Sequence, residues 1–140
     1  MIKVSSIRQV SKQYFDAWNS GDTSLADDVF APEFVIHDPA SPMALAMGPR
    51  GVKERILAYR AAIPDLHISI EDVISENDRV VTRWILRGRH SGRFEDVDGG
   101  GASVEVSGTT IHRIRNLQIV EQWVNWDTEA LRSQMRLVRE

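Results

Sequence analysis

The chain contains no cysteine in its 140 residues, which excludes disulfides, thiolate nucleophiles and thiolate metal sites. No apolar run approaches the roughly 18 residues that a membrane span requires. The opening stretch, MIKVSSIRQVSKQYF, lacks the continuous apolar core of a signal peptide. A basic tract interleaved with aromatics is also missing, and a net charge of −3 exerts no pull toward nucleic acid. There is no phosphate-cradling glycine motif, no serine nucleophile elbow, and no pair of histidines at metal-binding spacing. Asp96-Val97-Asp98-Gly99 imitates the start of a calcium loop, but the later ligands are absent. These absences leave the expectation of one cytoplasmic domain over residues 1–140, without a metal, a membrane span or a nucleic-acid partner.

What remains is an ordinary globular balance, 42% hydrophobic and 26% charged, long enough to bury one core. Ile7, Val10, Tyr14 and Trp18, with Phe15 beside them, form a helical stripe that Ser20-Gly21 ends. Asp22 is placed to cap a short second helix carrying Leu25, Val29 and Phe30, stopped by Pro32. Glu33 to Pro39 reads as a strand, and Ala40 to Met47 as an apolar loop lid. Gly48-Pro49 opens a third helix with Val52, Ile56, Tyr59 and Ile63 on its buried face, terminated by Pro64.

Four strands and a terminal helix complete the chain. Leu66 to Ile74 alternates until Glu71-Asp72, where a bulge is expected. Arg79 to His90 puts Val80, Thr82, Trp84, Leu86 and His90 on one face. Ala102 to Arg115 puts Ala102, Val104, Val106, Thr110, His112 and Ile114 on one face. Gln118 to Trp126 follows a tight Asn116-Leu117 connection, and Thr128 to Leu137 is the last helix. Segregated helices and hairpin-linked strands argue an α+β fold, a curved antiparallel sheet with the helices on its concave face and a pocket between the two layers.

His112 among valines either satisfies a core hydrogen bond or lines that pocket. With a carboxylate it makes a general acid/base pair, and Asp38, Asp127 and Glu121 are the candidates. With a backbone group or a buried hydroxyl it is structural. His37-Asp38 sits at a strand end before Pro39, where it serves either the cavity or a local turn. His90, beside Ser91-Gly92, reaches the pocket mouth or caps the turn. On the last strand the inward set is Gln122, Val124 and Trp126, or else Glu121, Trp123, Asn125 and Asp127; both faces carry apolar residues, so both can be buried, one of them against a second subunit. Trp18, Trp84, Trp123 and Trp126 are core residues or the walls of a site for a flat apolar ligand. Arg83, Arg87, Arg89, Arg113 and Arg115 are read mainly as cross-strand partners of Glu105 and Glu121.

The chain resembles the SnoaL-like polyketide cyclases, within the nuclear-transport-factor-2-like superfamily. The resemblance is carried by FDAWNSGD, HDP at 37–39, GPRGVKE at 48–54, IPDLHISIEDVIS at 63–75, RVVTRWILRGRHSGRF, SGTTIHRIR, and IVEQW with its following aspartate. It implies a cone-shaped α+β barrel, a homodimer or larger homo-oligomer, and a helix-closed cavity without metal or organic cofactor. It also implies ring closure of a polyketide ester by intramolecular aldol condensation, with an aspartate as acid/base. The family's histidine matches His112, and its polar residue before the first-strand proline matches Asp38. Counting from Ile119, the family's acid/base aspartate falls at Val124, and Asp127 matches a second aspartate three residues on. The expectation is a cofactor-free enzyme acting on an apolar carbonyl compound, with His112 as base or polarising donor and Asp38 as its partner. Gln122 and Thr110 orient the substrate, while His37, Val124, Trp126, Trp84, Trp18, His90 and Asp127 line the site. The alternative that Val124 raises is a domain that binds a hydrophobic ligand without turning it over.

Overall fold

The computed structural model describes residues 4–38, 48–94 and 96–137. The expected lid, Ala40 to Met47, and Pro39 lie outside the described residues. Nine elements follow in order: α1 (Val4–Ser20), α2 (Leu25–Val29), β1 (Phe30–His37), α3 (Gly48–Ala62), β2 (His67–Glu76), β3 (Arg79–His90), β4 (Ala102–Arg115), β5 (Gln118–Trp126) and α4 (Thr128–Leu137). The five strands make one open sheet in the order β1-β5-β4-β3-β2. Three antiparallel hairpin pairings account for β2 to β5. The sheet is mixed, because β1 joins β5 in parallel. That contact joins residues some ninety positions apart, so local alternation carries no trace of it.

The first two strands run over Phe30–His37 and His67–Glu76 rather than Glu33–Pro39 and Leu66–Ile74, and two residues act differently from their sequence-based reading. Asp22 does not cap α2; the N-cap is Ser24, and the Asp22 carboxylate instead accepts from the backbone and hydroxyl of Ser24 in the turn before the helix. Pro32 does not end the helix, since β1 already begins at Phe30. Proline is tolerated there because β1 is an edge strand and its register shifts between Phe30 and Val35. The bulge in β2 falls between Ile70 and Asp72.

The core lies between the helices and the inner face of the sheet. Ile7, Val10, Phe15 and Trp18 of α1 and Val52, Ile56 and Tyr59 of α3 belong to one buried cluster with Val80, Leu86, Val104, Val106 and Val124 of the sheet. A register shift between Arg113 and Ile114 lets β5 turn both Ile119 and Gln122 inward. Two side-chain amides close off exposed backbone. Asn19 bonds both the N–H and the C=O of Ile68 on the β2 edge, and Gln134 of α4 does the same to Glu105 where β4 runs past β5. No helix among the described residues is long and apolar enough to cross a membrane.

Candidate functional site

Three elements aim aromatic rings at one interior cavity of about 30 Å³, walled by Tyr14, Phe15 and Trp18 of α1, Arg55 of α3 and the inner faces of β2 to β5. The strands contribute Ile68, Trp84, Leu86, Thr110, Gln122, Val124 and Trp126. The inward phase of β5 is therefore Gln122, Val124 and Trp126. As it stands the cavity has room for about one water molecule, so a larger ligand requires its side chains to move. The rings set its shape. Trp126 packs on Tyr59 at 5.4 Å and on Trp84 at 5.9 Å, and Tyr59 on Trp18 at 5.8 Å. Gly108 makes this possible, because a Cβ there would lie 2.4 Å from Cζ2 of Trp84 and 2.8 Å from Cβ of Trp126. Trp84 is oriented further by donating its Nε1–H to Oγ1 of Thr110 at 2.9 Å. Trp18 is fixed through its carbonyl, which accepts from Arg60 at 2.8 Å.

His112 is fully buried and stands behind Gln122 rather than on the cavity wall. The amide oxygen of Gln122 lies 2.9 Å from Nε2, so that nitrogen carries the proton. Nδ1 then accepts from the Ser11 hydroxyl at 2.8 Å. Burial lowers the pKa of His112 from 6.5 to about 4, against a smaller opposing effect of the bond to Gln122. The imidazole is thus neutral at ordinary pH with both nitrogens engaged. Gln122 passes the chain on, donating its Nε2–H to the hydroxyl of Tyr14 at 3.3 Å. Burial raises the Tyr14 pKa above its usual value, so the phenol keeps its proton.

The Asp38 carboxylate, buried to 1% exposure, accepts from Nη2 of Arg55. Burial works against the charge on Arg55, but the bond to Asp38 and the nearby Tyr14 and Tyr59 outweigh it and raise its pKa. The expected Asp38–His112 pair is thus replaced by two separate arrangements, Asp38 with Arg55 and His112 with Ser11 and Gln122. Asp38 is the one acidic residue in the buried set among the described residues. Two donors carried by residues of the cavity wall, Nη1 of Arg55 and Nε1 of Trp126, are buried without an acceptor among the described residues.

Several expected site residues lie elsewhere. His37 has the opposite phase to Ile36 and Asp38, so it is exposed on the outer sheet face. There it bonds Glu121 at 2.8 Å and stacks on Trp123 at 5.4 Å. Glu121 shares that face, bonded also by Arg113, and the bond from His37, then Arg113, lowers its pKa. Asp127 is exposed and caps α4, accepting from the N–H of Ala130 at 2.9 Å. His90 is neither at a pocket mouth nor a turn cap; it is fully buried, and neither ring nitrogen has a partner among the described residues. Three contributors escaped the sequence reading: Arg55, Ser11 and the hydroxyl of Tyr14. Arg55 was visible in principle, since it falls between Val52, Ile56 and Tyr59 on the buried stripe of α3, where an unpaired charge is costly.

Comparison with known proteins places the arrangement. IdmH of Streptomyces antibioticus, a candidate polyketide cyclase, shares 27% identity and superposes with a TM-score of 0.80 over 93% of this chain and 98% of its own. A candidate polyketide cyclase from Acidithiobacillus ferrooxidans shares 25% identity, with a TM-score of 0.85 over 99% of both chains. AclR of Streptomyces galilaeus, a candidate hydroxylase, is alike in fold, at 20% identity and a TM-score of 0.84 over 96% of this chain and 98% of its own. No curated protein sequence matches the chain. The profile of one family covers residues 8–135, and the chain belongs to it: the SnoaL-like polyketide cyclases.

Proposed function

We propose that this protein is a small-molecule enzyme of the cyclase-like kind, which forms an enolate from a flat, apolar carbonyl compound held in the aromatic cavity. The observation that carries the reading is the wall itself: three tryptophans and two further aromatic rings, with a few polar groups among them, the hydroxyl of Tyr14 and the amide of Gln122 bonded to each other, Thr110 and Arg55. Aromatic walls hold a flat ligand, and the few polar groups fix its orientation. Counted from Ile119, Val124 falls where the resemblance to the family leads one to expect its acid/base aspartate. Asp38, tethered to the wall residue Arg55, takes the role of proton acceptor in its place. His112 is then a positioning residue, which orients Gln122 without touching substrate.

The test uses 1-tetralone in D₂O. An acceptor that removes the proton next to the carbonyl and returns a deuteron exchanges hydrogen for deuterium without net reaction. Exchange by the wild type faster than by buffer, lost in Asp38→Asn and reduced tenfold or more in His112→Ala with the ketone still bound, supports the enzyme. The second reading, a binding domain, is favoured by Val124 on the wall; bound ketone with no accelerated exchange would establish it.

The protein pairs with a second copy of itself through the outer sheet face. Ile74, Val81, Ile111, Trp123 and His37 lie opposite one another across all five strands. Ile74 is 63% exposed, and the guanidinium of Arg79 lies 5.3 Å over the Trp123 ring. The rows on either side carry both signs of charge, Asp72 with Arg83 and Arg113 with Glu121, which suits a self-complementary contact. Sedimentation of the wild type as a dimer at micromolar concentration, and of Ile74→Asp as a monomer, is the expected result; a wild-type monomer removes the proposal.

A further inference from the structure

A buried N–H without an acceptor is uncommon in a folded protein, and this cavity has two. Nη1 of Arg55 and Nε1 of Trp126 are both buried, both on residues of the same wall, and both without an acceptor among the described residues. Neither is free to turn away. Arg55 is held through Nη2 by Asp38, and Trp126 is clamped between the rings of Tyr59 and Trp84. The contrast is the neighbouring ring: Trp84, 5.9 Å from Trp126 on the same wall, spends its indole N–H on the hydroxyl of Thr110. The fold can satisfy a tryptophan here, and at Trp126 it does not.

We infer that Arg55 and Trp126 are the anchors for the ligand's oxygen atoms, and that those oxygens are uncharged carbonyls rather than a carboxylate. This rests on the cavity reading above. Charge balance decides the class. Arg55 is the one charged residue among the described residues that wall the cavity, and its charge is already matched by Asp38. A carboxylate would set two anions against one cation in a dry wall, where desolvation is not repaid. A carbonyl accepts an N–H from each donor and adds no net charge. The selected ligands are flat aryl ketones, quinones or esters, and the corresponding acids are rejected. An apolar analogue without oxygen is also disfavoured, because it leaves both donors buried and unpaired.

Three probes of similar shape test this by calorimetry on the whole chain: 1-tetralone, tetralin, and 1-naphthoate. The wild type is expected to bind 1-tetralone about tenfold or more tightly than tetralin, and 1-naphthoate more weakly than the ketone. Trp126→Phe keeps the ring and removes the N–H. Arg55→Lys keeps a cation for Asp38 and removes the second donor. Each is expected to narrow the ketone-to-hydrocarbon ratio roughly three- to tenfold, and an unchanged ratio in both variants overturns the anchors. Equal wild-type affinity for 1-tetralone and tetralin overturns the anchors and leaves the cavity reading standing. Tightest binding of 1-naphthoate overturns the uncharged class. Binding of neither bicyclic probe overturns the cavity reading and the anchors together.

Discussion

His112 shows how much a single side chain's surroundings decide. The same imidazole on a wet strand end titrates near pH 6.5; here, fully buried between a serine and a glutamine, it is held to about 4. The unfolded chain takes up a proton at this residue as pH falls through 6.5, and the folded chain does not until about 4. Between those values the unfolded state binds more protons, so stability rises with pH through the window and levels off above it. The contribution approaches about 1.4 kcal/mol per pH unit and is on the order of 3 kcal/mol across the window. Urea unfolding at a series of pH values from 5 to 7.5 measures it. His112→Asn is expected to give a shallower dependence than the wild type, and identical slopes would contradict the assignment. The position of His112 on an inward face was legible in its alternation with Thr110 and Ile114. Its partners were not, because Ser11 lies 101 residues away and Gln122 is inward only by the phase of a strand apolar on both sides.

At the scale of elements, the hairpin meander was legible and the first strand less so. The strands β3, β4 and β5 run over Arg79–His90, Ala102–Arg115 and Gln118–Trp126, the ranges their alternation indicates, since each pairs with its neighbour in sequence. The parallel place of β1 and the continuation of strand through Pro32 depend on β5, far along the chain. The Asp38–Arg55 pair spans only 17 residues, but it forms only once the end of β1 is packed against α3, which local alternation does not show. One glycine then governs how β3 and β5 share the cavity wall. Gly108 sits opposite Trp84 on one side and Trp126 on the other, and the missing Cβ is the space their rings occupy. Gly108→Ala is expected to cost about 1–3 kcal/mol by overpacking, and to pull Trp84 from Thr110. Thermal unfolding with near-ultraviolet circular dichroism reads both. An unchanged Tm and aromatic spectrum would show that the rings have room to spare.

For the whole molecule, an open five-stranded sheet has to present its margins somewhere. Asn19 and Gln134 each use one carboxamide to imitate a passing strand, donating to a carbonyl and accepting from an amide of the same residue. At Ile68 and at Glu105 the ladder is therefore already complete, and an incoming chain finds no partner for its own backbone. Growth by adding strand to strand, the route by which sheets become fibrils, is blocked at these points by two neutral side chains rather than by charge. In the proposed pairing through the broad face, by contrast, contact between two identical surfaces ends at a pair.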